Sequence, residues 1–202
     1  MILWTIQPLK LYESLLEQGT LHCDPTQEGF LGLDIKEFRV AYDWLVEQMR
    51  SRIGHPPQCV TYPFWAWALI DGVSKKPDLR RMEFNNYIGE NVVLELEIPD
   101  SDVLLSDEEN WHYVLNNSYL HDVHGDEETW DRVDAWFDDL PPNEQEALKT
   151  KSWERIFDGT DADNDWKFVQ ATFWELKTEQ IKGVRKFTGR GRKQNNQEND
   201  DN

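Results

Sequence analysis

Two scarcities bound this 202-residue chain before any motif is sought. It has no uninterrupted apolar run near the roughly 20 residues that span a bilayer. It has two cysteines, Cys23 and Cys59, far apart and outside any CxxC spacing. The first leaves no candidate membrane-spanning helix. The second argues against a disulfide scaffold and fits reduced thiols in a cytoplasmic protein. MILWTIQPLK lacks a basic segment followed by an apolar stretch and a small-residue cleavage site, so it does not read as a signal peptide. GxSxG, GxxxxGK[ST] and GxGxxG are also missing. The α/β-hydrolase, P-loop and dinucleotide-fingerprint readings therefore have no motif support. No internal repeat is visible.

Aromatic residues are plentiful, with ten Trp, nine Phe and six Tyr, enough apolar material for one sizeable core. The formal charge is −18 and unevenly placed. Residues 182–193, KGVRKFTGRGRK, carry six basic residues and no acid, and residues 194–202 carry three acids and no base, which leaves −21 on the first 181 residues. Such a body repels nucleic-acid backbones and anionic membranes over most of its surface. Direct nucleic-acid binding is expected, if anywhere, at the basic segment. A basic protein groove is the complementary partner, and residues 100–165, with 20 Asp or Glu against four Lys or Arg, are the segment to occupy it.

Periodicity predicts an α+β fold. Ile2–Gln7 reads as a first or edge strand closed by Pro8, and Leu9–Gln18 as a helix with Leu9, Tyr12, Leu15 and Leu16 on one face, ended by Gly19. Asp34 caps a long amphipathic helix carrying Ile35, Phe38, Ala41, Tyr42, Leu45, Val46 and Met49 at helical spacing. Val60–Asp71 reads as an aromatic-rich strand, with Pro63 marking an edge or bulge, and Asn91–Pro99 as an alternating one. Helices follow at Asp107–Asn117, Glu127–Leu140 and Asn143–Phe157, the last two parted by Pro141-Pro142. FVQATFWELKTEQI, from Phe168, reads as a late strand, and Ile181–Phe187 as another. The expectation is one domain over residues 1–188 with split antiparallel or mixed sheets, strands from the two ends of the chain pairing, and a disordered polar tail over 189–202.

Candidate chemistry is sparse. His121 and His124, with His112 nearby, are the residues for a zinc reading, but no HExxH or CxxC supports it. Asp161, Asp163 and Asp165 open like a calcium loop, which then fails at Trp166 and Thr172, where glycine and a bidentate glutamate are needed. We therefore expect no metal. Strand alternation puts Phe168, Gln170, Thr172 and Trp174 on one face, so the polar pair Gln170 and Thr172 sits among aromatics, as a cleft wall does.

Taken together, LWTIQ, AYDWLVEQM, YPFWAW with KKPDLR, LELEIPDSDVLLSD, WHYVLNN, KSWERIF and QATFWELK resemble an uncharacterised bacterial and phage family known only as a domain of unknown function, over Ile2 to Arg190. A fainter likeness points to a chemistry. LWTIQPLKLYESLLEQGTL, YPFWAW and VQATFWELKTEQIKGV are similar to segments of DNA-base ADP-ribosyltransferase toxins. That resemblance implies an ADP-ribosyltransferase-like fold binding NAD or a related nucleotide, with ADP-ribose passed to a macromolecule. It places Gln7 against the NAD ribose, has Trp4, Thr5, Tyr62, Trp65 and Gln170 line the cofactor site, and puts Thr172 where the toxins carry their catalytic glutamate. Glu175, three residues on, or Glu95 or Glu97, is then left to supply the carboxylate that steadies the cationic transition state.

Overall fold

The structure, a computed structural model, describes residues 1–23, 38–122, 126–159 and 166–191. Chain order begins with β1 (Ile2–Pro8) and α1 (Leu9–Gln18). Gly19 ends α1 at φ 79°, its amide donating to the Leu15 carbonyl at 2.8 Å. That left-handed turn carries no Cβ penalty in glycine. A short β2 (Thr20–His22) precedes α2 (Arg39–Arg52), which buries Ala41, Tyr42, Leu45, Val46 and Met49, most of the predicted apolar face. Asp34 and Ile35, its predicted start, lie outside the described residues.

β3 (Phe64–Ile70) begins just after Pro63, and β4 runs from Ile88 to Glu97. A strand that was not expected, β5 (Leu104–Asp107), precedes the first of the predicted acidic helices. Asp107 then caps α3 (Glu108–Leu115) by accepting from the Asn110 amide at 2.7 Å. α4 (Glu127–Asp138) and α5 (Pro142–Ser152) follow, and α5 tightens into a 3-10 turn over Trp153–Phe157. The late strand is divided into β6 (Phe168–Phe173) and β7 (Glu175–Lys177), after which β8 spans Ile181–Arg190.

The strands form a six-stranded sheet in the order β5-β6-β3-β1-β4-β8 and a separate β2-β7 pair. Every pairing is antiparallel among the described residues, so the sheets are split as expected but not mixed. β1, read as a first or edge strand, and β3, read with an edge or a bulge at Pro63, are both central. Prolines at their ends rather than within them leave the ladders intact. Gly189 and Arg190, assigned to the predicted tail, pair instead with Gly89 and Ile88 at the end of β8. Residues 192–202 lie outside the described residues.

Both sheet faces are covered. On one, Leu3, Phe64, Ala66, Leu94, Leu96, Ala171 and Phe173 pack with Leu11 and Leu15 of α1 and Leu176 of β7. The other carries two separate clusters. Tyr42, Leu45 and Met49 of α2, Trp111 and Val114 of α3, Trp153, Ile156 and Trp174 form the larger. Trp4, Ile6, Ile70, Phe84 and Val93 form the smaller. The gap between these two clusters is where the fold opens.

Candidate functional site

β1 and β3 are neighbours in the sheet, yet they share one register position, Trp4 with Trp67. Towards Pro8 the strands splay. Thr5 spans the opening: its hydroxyl donates to the Trp65 carbonyl at 2.8 Å and accepts from the Gln7 amide Nε2 at 2.7 Å. The first of these gives the Trp65 carbonyl a partner where the splay leaves β1 and β3 unpaired, and the second holds the Thr5 hydroxyl in place.

A cleft of about 740 Å³ occupies the splay and the gap between the two clusters. That size is ordinary for a small-molecule site. Its floor includes Thr5, Gln7, Trp65, Trp67 and Gln170 from the strands, and Tyr87 and Asn91 from the start of β4 and the residues before it. The opposite wall is α3, which presents Glu108, Trp111, His112 and Leu115, the i, i+3, i+4, i+7 face of one short helix. Tyr42 stands edge-on to both Trp65 and Trp111, with centroids 6.2 and 5.8 Å away.

Burial pushes the Glu108 carboxyl above its ordinary value. His112 opposes this, and Glu109, Asp107 and Glu83 add to it. The His112 Nδ1 donates to the Glu108 carbonyl at 2.9 Å, which fixes a proton on that nitrogen and leaves Nε2 4.0 Å from Glu108 Oε1. Three buried polar atoms at or beside the floor have no hydrogen-bond partner among the described residues: Trp65 Nε1, Gln170 Oε1 and Ser106 Oγ. Gln170 and Ser106 are directly paired across β6 and β5. These atoms are free to bond water or a ligand in the cleft.

The predicted site residues divide in two. Thr5, Gln7, Trp65 and Gln170 come together in the cleft. Trp4 points to the smaller cluster and is buried there. Tyr62 packs edge-on against Tyr42, and its hydroxyl donates to Asp43 at 3.1 Å. Thr172 is 1% exposed and donates to the Leu104 carbonyl at 3.3 Å, away from the cleft. Glu175 is in the β2-β7 pair, its carboxylate held by His22 and Lys177 at 2.9 Å each. Burial alone raises Glu175, and these two partners outweigh it, so the group lies below the usual glutamate range. Neither position given the glutamate's role by the toxin resemblance reaches the cleft. Glu97, at the end of β4, is paired at 2.6 Å with Lys182 of the edge strand β8, and neither it nor Glu95 lines the site.

Sequence reasoning missed Glu108, Trp111 and Tyr87, gave His112 only a zinc reading, and placed Trp67 in the aromatic-rich strand without assigning it to the site. The α3 set was visible as helical spacing within EENWHYVL. Trp67 and Tyr87 reach the cleft only through the tertiary fold. A second depression of about 450 Å³, beside Glu47, Arg50, Ser51 and His55 on α2, is open to solvent, and its Glu47–Arg50 ion pair is self-satisfied at 2.5 Å.

Among the described residues no three His, Cys, Asp or Glu side chains converge to hold a metal. His124, Asp161, Asp163 and Asp165 lie outside those residues. Cys23 is buried, Cys59 is exposed, and no disulfide joins them. No helix among the described residues is long and apolar enough to cross a membrane. No curated protein and no solved structure matches the chain, and the ADP-ribosyltransferase likeness gains no support from either comparison. The family comparison returns a domain of unknown function (DUF3841) over residues 2–182, and the protein belongs to that family.

Proposed function

We propose that the cleft binds a nucleotide-type small molecule, NAD included, by its planar heterocycle rather than by its phosphates. The observation that carries this reading is the lining itself. Trp65, Trp67, Tyr87 and Trp111 offer ring faces or edges, and Gln7, Gln170 and Asn91 supply amides able to read a heterocycle's donors and acceptors. No Lys or Arg lines the cleft among the described residues, so a diphosphate finds no cation there. Among the described lining residues Glu108 is the one carboxylate placed to act on a bound ligand. ADP-ribose transfer through Thr172 or Glu175 is not part of this reading, since neither reaches the site. Calorimetric titration with adenosine, nicotinamide and NAD tests it. Binding weakened by Trp67→Ala and by Gln170→Ala is the expected outcome, and no heat from any of the three at millimolar concentration refutes it.

A second reading, not exclusive of the first, concerns α4. Trp130, Val133, Trp136 and Phe137 fall on one side of this helix, yet Trp130 and Trp136 remain about half exposed and α4 buries no residue fully. Glu127, Glu128, Asp131, Asp134 and Asp138 flank that side, with Arg132 as the lone base. Charge complementarity selects a basic segment of a partner protein, its guanidinium groups stacking on the indoles. An amphipathic Arg/Leu peptide is expected to bind at low salt and to release as salt rises or when both tryptophans become alanine. Equal binding by the doubly substituted protein counts against it.

A further inference from the structure

The cleft reading leaves open what the heterocycle must carry, and the charge around the cleft bears on that. Among the described lining residues the one acid is Glu108, and Lys and Arg are absent. Asp107, Glu109 and Glu83 act on Glu108 as further negative charges. Asp107 is itself 5% exposed and caps α3 with its carboxylate. The walls add Trp65, Trp67, Tyr87 and Trp111, whose ring faces are electronegative. His112 is the single lining group able to carry positive charge, and one of its ring nitrogens is already engaged by the Glu108 carbonyl. The protein as a whole is at −18. A half-buried carboxylate beside aromatic walls, short of a fixed cation, is the pattern that attracts an organic cation.

We infer that the cleft is selective for a planar organic cation, a heterocycle with a positively charged ring nitrogen such as a pyridinium or an N-methylated purine, with Glu108 as the counter-charge. The inference rests on the cleft being a ligand site and narrows the class of ligand it takes. Neutral rings stack on the same walls, but they leave the Glu108 charge uncompensated in a partly desolvated site. A cation gains both the carboxylate and the ring faces. Cation–π contacts are worth about 2 kcal/mol when desolvated, so a charged ring should bind well over tenfold more tightly than its neutral counterpart.

The experiment is calorimetric titration of the full chain at pH 7 and low salt with two pairs matched in shape: 1-methylnicotinamide against nicotinamide, and 1-methyladenosine against adenosine. The first of each pair is cationic at that pH. We expect the cation to bind at least tenfold more tightly in each pair. The preference should shrink towards unity in Glu108→Gln and weaken as salt is raised. Neutral members binding as well as the cations overturn the inference while leaving the cleft reading standing. So does a preference that survives Glu108→Gln unchanged. If none of the four compounds binds, the cleft reading fails and the inference falls with it. The wild-type ratio decides the matter even if the variant folds poorly.

Discussion

Replacing Thr5 by valine tests whether the splay between β1 and β3 is a built feature. The two side chains have nearly the same shape, so the substitution removes a hydroxyl with little change in packing. That hydroxyl is 3% exposed as part of its residue and makes two bonds: it donates to the Trp65 carbonyl and accepts from the Gln7 amide. In Thr5→Val both partners lose their bond. A buried group left unpaired costs about 1–3 kcal/mol. The Gln7 amide borders the cleft and can turn to water, so most of the cost falls on the Trp65 carbonyl, and the sum is about 2 kcal/mol. Valine's better strand propensity returns a few tenths of that. For a chain of this length, 2 kcal/mol lowers the melting temperature by roughly 4–8 °C. Thr5→Ser is the control, because it keeps the hydroxyl and loses one buried methyl, worth about 0.8 kcal/mol. Urea denaturation followed by circular dichroism, with the m-value unchanged, reads both. If valine costs less than about 0.5 kcal/mol, or serine costs more than valine, the hydroxyl does not hold the splay.

Three other expectations follow from the same geometry. Glu108 has a folded-state value above its unfolded one, so its ionised form opposes folding. Stability is greatest below the ordinary glutamate range near about 4.3 and falls as pH rises through the raised value. Glu108→Gln should therefore be more stable than wild type at pH 7, with the gap closing towards about pH 4; a gap independent of pH contradicts the assignment. Gly189→Ala should cost about 1–3 kcal/mol, because a Cβ there would overlap the Tyr87 carbonyl. Amide exchange at Ile88–Asn91 should quicken with it, and unchanged exchange would show that the strand end yields without cost. Trp153 is fully buried and donates from Nε1 to the Ser118 carbonyl at 2.8 Å. Trp153→Ala should cost about 3–5 kcal/mol, measured by thermal unfolding, and a loss under 1 kcal/mol would mean that the surrounding helices repack.

The late strand shows where sequence stops being informative. Alternation placed Gln170 and Thr172 on one face, and both do face the side that carries α3. Each has one neighbour on β3 and one on β5, yet their fates differ: Thr172, between Trp65 and Leu104, turns its hydroxyl to the Leu104 carbonyl, whereas Gln170, between Trp67 and Ser106, borders the cleft. Nothing in LLSD, four residues ahead of a helix, announces a strand; β5 exists because β6 offers it an edge. Glu175 looked like an acid at the end of a core strand, and the chain in fact breaks at Trp174. That indole turns into the helical cluster and donates to the Gly54 carbonyl at 3.0 Å, which sends Glu175 into the other sheet.

By itself the sequence determined the α+β class, the positions of α1, α2, α4 and the main strands, and the net negative charge. Those features follow from local periodicity, capping and charge, which neighbouring residues carry between them. The toxin resemblance, not periodicity, named Thr5, Gln7, Trp65 and Gln170, which the fold brings to one cleft. Tertiary structure alone decided that β1 is central, that it parts from β3 beyond Trp4, and that α3 closes the opposite wall with Glu108 and His112. Those outcomes depend on contacts between residues far apart in the chain, where register and packing choose among placements that local preference leaves equal.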